Sequence, residues 1–178
     1  MTLLCLVGRH GCGKSTIGRA LASHGYQHIS VGALRRLAKH NEYPSDVPVQ
    51  LIAALRRAPR DAAMPMDVVR KLLAFAAQFP QTVIDGFPVE SSHLELLPHE
   101  AVVGLVWTPA RSRESRLLER NESSSRIWTP GGHSLRDQKL PALIRAARAR
   151  GQAKFIANRV AGPESIEAIA AAVAAMHT

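Results

Sequence analysis

Gly8-Arg9-His10-Gly11-Cys12-Gly13-Lys14-Ser15 fits the pattern GxxxxGK[ST] and constrains the fold more than any other stretch of the chain. It follows an apolar run, Leu3–Val7, and precedes Thr16–His24, a segment of helix-compatible sequence. Strand, glycine loop and helix in this order form a cradle for phosphate, because glycines let the backbone turn its N–H groups inward at a helix N-terminus. Lys14 adds a mobile charge for β- and γ-phosphate oxygens, and Ser15 a hydroxyl for Mg²⁺. Gly8 to Thr16 are therefore the expected contacts of ATP and Mg²⁺, with Arg9, His10 and Cys12 filling the variable positions.

The rest of the chain alternates short apolar runs with longer helical stretches. The runs are Leu3–Val7, His28–Val31, Thr82–Ile84, Ala101–Trp107 and Lys154–Ala157. That alternation predicts an α/β fold with a buried parallel sheet, and 178 residues fit one domain. Two segments depart from it. Asn41–Met66 carries Pro44, Pro48, Pro59 and Pro65 around one helical piece, Val47–Arg57, and Asn121–Arg136 is polar with SerSerSer and ThrProGlyGly. Both read as excursions from the core sheet. The Ala-rich tail Pro163–Met176 presents Ile166, Ile169 and Val173 on one face and predicts a packing helix.

Composition narrows the function. The hydrophobic fraction of 46% and charged fraction of 21% are those of a globular chain, and 4% aromatics argues against base-stacking platforms. The net charge of +9 suits polyanionic ligands, nucleotides or nucleic acid, but the scatter of Lys and Arg over many segments also reads as plain solubility, and a nucleic-acid partner is not favoured. Cys5 and Cys12 offer no disulfide framework and no zinc-ligand spacing. The first residues lack a basic flank and a membrane-length apolar run, so no signal peptide and no membrane partner are expected; the two thiols point to a reducing cytoplasm, and the chain is expected to be a monomer.

A second chemical element is Thr82-Val83-Ile84-Asp85, an apolar run ending in a carboxylate. Such an Asp, here Asp85, is the acidic partner of a phosphate loop and can hold a magnesium-bound water.

Several further stretches resemble the nucleoside monophosphate kinase family, adenylate kinases in particular. HisIleSerValGlyAlaLeuArgArg at 28–36 resembles "hIStGDxLR", and MetProMetAspValValArgLysLeuLeu at 64–73 resembles "VPDExVxxLL". AspGlyPhePro at 85–88 matches "DGFPR" up to its last residue. Arg116-Leu-Leu-Glu-Arg120 fits "RxxxR", LeuArgAspGln at 135–138 looks like a reduced "RxDD", and PheIleAlaAsnArg at 155–159 falls where the last strand runs toward the adenine-side loop. The matches occur in family order over nearly the whole chain.

The resemblance implies a three-layer P-loop NTPase fold with a five-stranded parallel sheet flanked by helices, an acceptor-binding arm at 41–66 and a short lid at 121–136. It implies an ATP-dependent transfer to a nucleoside monophosphate. Lys14, Asp85, Arg116, Arg120 and Arg136 would serve catalysis, with Arg116 on the donor base and Arg120 on donor phosphates. Arg136 and either Arg145 or Arg148 would clamp the transferring group. Arg36 would hold the acceptor phosphate, and Ser30, Gly32, Met64, Gly86, Phe87 and His93 would line the acceptor site. Arginine forks match phosphoryl oxygens in number and plane.

The acceptor side departs from the family pattern. Val31 stands where the family has Thr, Ala33 where it has Asp, Val89 where an arginine pairs with the acceptor phosphate, and His93 near the glutamine that reads the acceptor base. His93 reads either as a stand-in for that glutamine or, the favoured reading, as a surface residue. Three functions stay open: a nucleoside monophosphate kinase, a P-loop kinase of another small anionic or polyol acceptor, and a nucleotide-dependent switch or ATPase associated with nucleic acid.

Overall fold

The computed structural model describes residues 2–59, 63–123, 135–159 and 162–175. Five strands form one sheet: β1 (Thr2–Val7), β2 (Gln27–Ser30), β3 (Gln81–Asp85), β4 (Val102–Trp107) and β5 (Ala153–Ala157). They are parallel throughout, in the order β2-β3-β1-β4-β5. Seven helices accompany them among the described residues: α1 (Lys14–Ala20), α2 (Val31–His40), α3 (Val49–Arg57), α4 (Met66–Ala76), α5 (Ala110–Ser123), α6 (Leu135–Ala149) and α7 (Pro163–Ala174). Short 3-10 helices cover Leu21–His24 and Ser91–Leu96.

The central strand shows how the layers arise. Successive side chains of a strand face opposite ways. Leu3, Cys5 and Val7 enter a core with α2, α3, α4 and α6, whereas Leu4 and Leu6 enter one with α1 and α7. Both faces are dry, so the strand reads as an unbroken apolar run. The two cysteines are free and buried on these faces. Ile166, Ile169 and Val173 of α7 pack into the second core, the face their spacing predicts. The α/β fold of three layers with a five-stranded parallel sheet is the one expected.

Boundaries shift where local chemistry intervenes. β2 stops at Ser30 because that residue caps α2, its Oγ accepting from Ala33 N–H at 3.4 Å. Val31 is thus the first residue of α2, not the end of a strand. The helical piece of the 41–66 segment begins at Val49 after Pro48. Of the 121–136 segment, 121–123 close α5, Leu135 and Arg136 open α6, and 124–134 lie outside the described residues. No described helix is long and apolar enough to cross a membrane.

Candidate active site

The loop between β1 and α1 has the backbone its glycines were expected to supply. Gly11 and Gly13 adopt φ of 79° and 92°, which disfavours any side chain. Space forbids one as well: a Cβ on Gly11 would stand 2.9 Å from Arg113 Cγ and Leu117 Cγ of α5, and one on Gly13 would collide with Asn158 Nδ2. Lys14 folds its ammonium back over the loop, donating to Gly8 O at 2.9 Å and Arg9 O at 2.8 Å, with Cys12 Sγ at 3.5 Å. The first turn of α1 directs its unpaired N–H groups to the same place, a site suited to an anion.

Asp85 ends β3, beside Leu6 of β1 and Ser30 of β2 in the sheet register. It is 4% exposed. Burial favours its neutral form, but hydrogen bonds from His28, Ser15 and Ser30 and the nearby His28 charge outweigh this and lower its pKa. His28 Nε2 lies 2.8 Å from Asp85 Oδ2. Gly18 of α1 makes that contact fit, since a Cβ there would stand 2.5 Å from His28 Nε2. The Ser15 hydroxyl and the Asp85 carboxylate together form an oxygen donor set of the kind Mg²⁺ accepts when phosphates and water complete its shell. Among the described residues no three His, Cys, Asp or Glu side chains gather into a metal cage.

From the loop a cavity of about 750 Å³ runs along β2 to α2 and the start of the 41–66 segment. Its wall includes Lys14, Ser15, His28, Ser30, Gly32, Arg36, Asp46, Asp85 and Arg136. Volumes of about 300–1,000 Å³ are usual for small-ligand pockets. Arg136, on α6, donates from Nη2 to Gly86 O, and a Cβ on Gly86 would stand 3.3 Å from its Nη1. Burial and the nearby Arg35 charge lower its pKa, opposed by Asp85 and Asp137. Asp137 turns toward the loop: its carboxylate lies 3.7 Å from His10 Nδ1 and is 7% exposed. Burial would raise its pKa, but His10, Lys14 and Arg9 hold it below the usual carboxylate range.

The structure gathers Lys14, Ser15, Asp85, Ser30, Gly32, Arg36 and Arg136 around one space. Arg116 joins them at the loop, its Nη1 3.6 Å from where a Cβ on Gly13 would stand. The Arg120 side chain lies outside the described residues.

Other expectations require correction. His93 is not a surface residue and does not offer itself to a base: it is 0% exposed, its Nε2 donates to Met64 O at 2.9 Å and its Nδ1 accepts from Val89 N–H at 3.2 Å. Burial lowers its pKa, consistent with a neutral ring fixed by those bonds. Phe87 stacks on it with centroids 5.5 Å apart, and both Phe87 and Met64 are core residues rather than cavity wall. Val31 is 1% exposed and faces the core, so its difference from the family Thr does not alter the cavity surface. Arg145 and Arg148 are exposed on the unbroken helix α6. At about 1.5 Å per residue they lie roughly 14 and 18 Å beyond Arg136, too far along to join it in a clamp.

Four polar groups of the site were given no role from the sequence, although three of them lie in the stretches quoted above: His28, Asp137, and Thr108 and Asn158, which both donate to Cys12 O. Each comes to the loop from a different strand or helix.

A family model described as an AAA domain matches residues 4–140, from β1 into α6. No curated protein matches the chain in sequence. Among solved structures, a shikimate kinase from Bacteroides thetaiotaomicron is 18% identical with a TM-score of 0.56, covering 98% of this chain and 97% of that one. TT1252 from Thermus thermophilus is 20% identical with a TM-score of 0.54, over 99% and 98% of the two chains. A gluconokinase from Sinorhizobium meliloti 1021 is 17% identical with a TM-score of 0.50, over 98% and 94%. These likenesses show a shared fold, that of a P-loop α/β domain. With the strand–loop–helix geometry above and a family match over most of its length, the chain belongs to the AAA domain family.

Proposed function

We propose that this chain is an ATP-dependent phosphotransferase that passes a phosphoryl group to a small anionic acceptor. One observation carries the reading: Lys14 of the phosphate loop and Arg36 of α2 line the same cavity, so donor and acceptor sites are continuous. The kinases that share the fold, a shikimate kinase and a gluconokinase, support a small-metabolite acceptor.

The residues divide the work as follows. The loop N–H groups and α1 hold the donor phosphates, and Lys14 exchanges its bonds to Gly8 O and Arg9 O for phosphate oxygens. Ser15, and Asp85 through a water, would hold Mg²⁺, which would supply charge neutralisation for the phosphates. His28 and Ser30 keep Asp85 ionised and aimed at that position. Arg136 faces the transferring group from α6, Arg116 and Arg120 serve the donor, and Arg36 anchors the acceptor. The 41–66 segment acts as an arm and the 121–136 segment as a lid that excludes water.

A nucleoside monophosphate is the finer reading of the acceptor, supported by the ordered motifs and by Ser30, Gly32 and Arg36 in the cavity wall. A non-nucleotide acceptor is the second reading. It is favoured by the burial of Met64, Phe87 and His93 and by Val89 beside Gly86 and Arg136 where an arginine was expected. A coupled assay of ADP release, run with nucleoside and deoxynucleoside monophosphates and with hydroxy and sugar acids, separates them. Acceptor-dependent ADP from either group upholds phosphotransfer and assigns the class. ADP formation that no acceptor accelerates refutes it.

A further inference from the structure

Two side chains from outside the phosphate loop converge on one of its carbonyls. Thr108, the first residue beyond β4, donates from Oγ1 to Cys12 O at 3.0 Å. Asn158, the first beyond β5, donates from Nδ2 to the same oxygen at 2.9 Å. Both are buried, Asn158 completely. The Asn158 backbone is fixed as well, its N–H donating to Trp107 O at 2.8 Å and carrying the β4–β5 pairing one step further. Asn158 Oδ1 is buried with no hydrogen-bond partner among the described residues. Leaving an amide oxygen dry and unpaired is costly, and the bond to Cys12 is what the side chain gains in return.

The peptide between Cys12 and Gly13 is trans and planar, so its C=O and N–H point in opposite directions. A carbonyl oxygen has two lone pairs, and here two buried donors occupy them. The C=O is thereby held toward β4 and β5, and the Gly13 N–H is turned the other way, toward the cavity that Gly13, Lys14 and Ser15 line. We infer that Thr108 and Asn158 are positioning residues that preset the Gly13 N–H for a phosphate oxygen. A donor already aimed needs no reorganisation when the anion arrives, so the gain appears in nucleotide affinity. The same two bonds dock the loop against the β4–β5 half of the sheet. The inference rests on the nucleotide-binding reading above.

The test is calorimetric titration of ADP into the full chain, wild type against Thr108→Val, Thr108→Ser and Asn158→Ala, at a temperature where each is folded by circular dichroism. The Val and Ala variants are expected to bind ADP about five- to tenfold more weakly, the worth of one hydrogen bond, and the Ser variant within about twofold of wild type. A merely structural role would lower the thermal midpoint and leave the affinity of the folded fraction unchanged. Wild-type affinity in Thr108→Val and Asn158→Ala overturns the inference alone. If wild type binds no ADP, the underlying reading falls and the inference with it. Should Asn158→Ala fail to fold, the isosteric Thr108→Val and its Ser control carry the test.

Discussion

At the loop end of the cavity, other parts of the chain hold the polar groups in place. Lys14 bonds two loop carbonyls, Cys12 O takes two buried donors, and Ser15 bonds Asp85, itself held by His28 and Ser30. At the α2 end, Gly32 and Arg36 are exposed, and the wall continues to Asp46 on an exposed connection before α3. On the proposed function, the loop end is a preset receptor for the donor phosphates, whereas the α2 end presents an exposed, charged wall. A chain that must bind the same phosphates in every cycle gains from rigidity there. The acceptor is free to differ, and the proposed function places its selection at the α2 end.

The sharpest way to break this contrast is Lys14→Ala. Removing a preorganised charge from the reacting phosphates is expected to lower kcat by at least about 100-fold. Circular dichroism should show the fold intact, because only bonds within the loop are lost. Substantial transfer by the folded variant would remove the loop from the chemistry.

Gly18→Ala probes the bracing of Asp85. In an open helix this change stabilises by about 1 kcal/mol, but here the new methyl meets His28, and overpacking costs about 1–3 kcal/mol. Denaturant unfolding should show a net loss. A gain would mean that His28 moves aside without cost and that its bond to Asp85 contributes little.

A pH series sharpens the same point. The folded-state pKa of Asp85 is lowered, so its contribution to stability is complete above the unfolded carboxylate value of about 3.9 and drains away as pH falls through the folded value. The stability gap between wild type and His28→Gln should therefore narrow as the pH drops below about 4. A gap that stays constant from neutrality to pH 3 would assign the His28 effect to packing instead.

Lys139→Ala should have the smallest effect. Lys139 Nζ lies 2.6 Å from Glu90 Oε2 and ties α6 to the segment after β3, and the Lys139 bond lowers the Glu90 pKa. Both side chains are partly exposed, and such pairs are worth about 0–1 kcal/mol. Thermal melts should barely move, and a loss of several degrees would show that α6 is anchored there rather than at Arg136.

These differences also explain how far the sequence could be read. The phosphate loop was legible because its glycines, Lys14 and Ser15 are contiguous and each residue type answers a local demand. The sheet was legible because strands dry on both faces read as apolar runs. Thr108, Asn158, His28 and Asp137 were not, because strand order and helix docking alone bring them to the loop. His93 misled because its burial depends on backbone partners at Met64 and Val89 that no spacing rule reveals. Arg145 and Arg148 failed because α6 runs unbroken past Arg136, leaving no turn to bring them back.

The central claim, one cavity with a preset donor end and a separate acceptor end, is tested most directly by steady-state kinetics of Arg36→Ala with the best acceptor from the ADP-release panel. Loss of one charge-assisted contact should raise the acceptor KM about ten- to 150-fold, while the KM for ATP stays within about twofold of wild type. Equal changes in both constants, or an unchanged acceptor KM, would contradict the account.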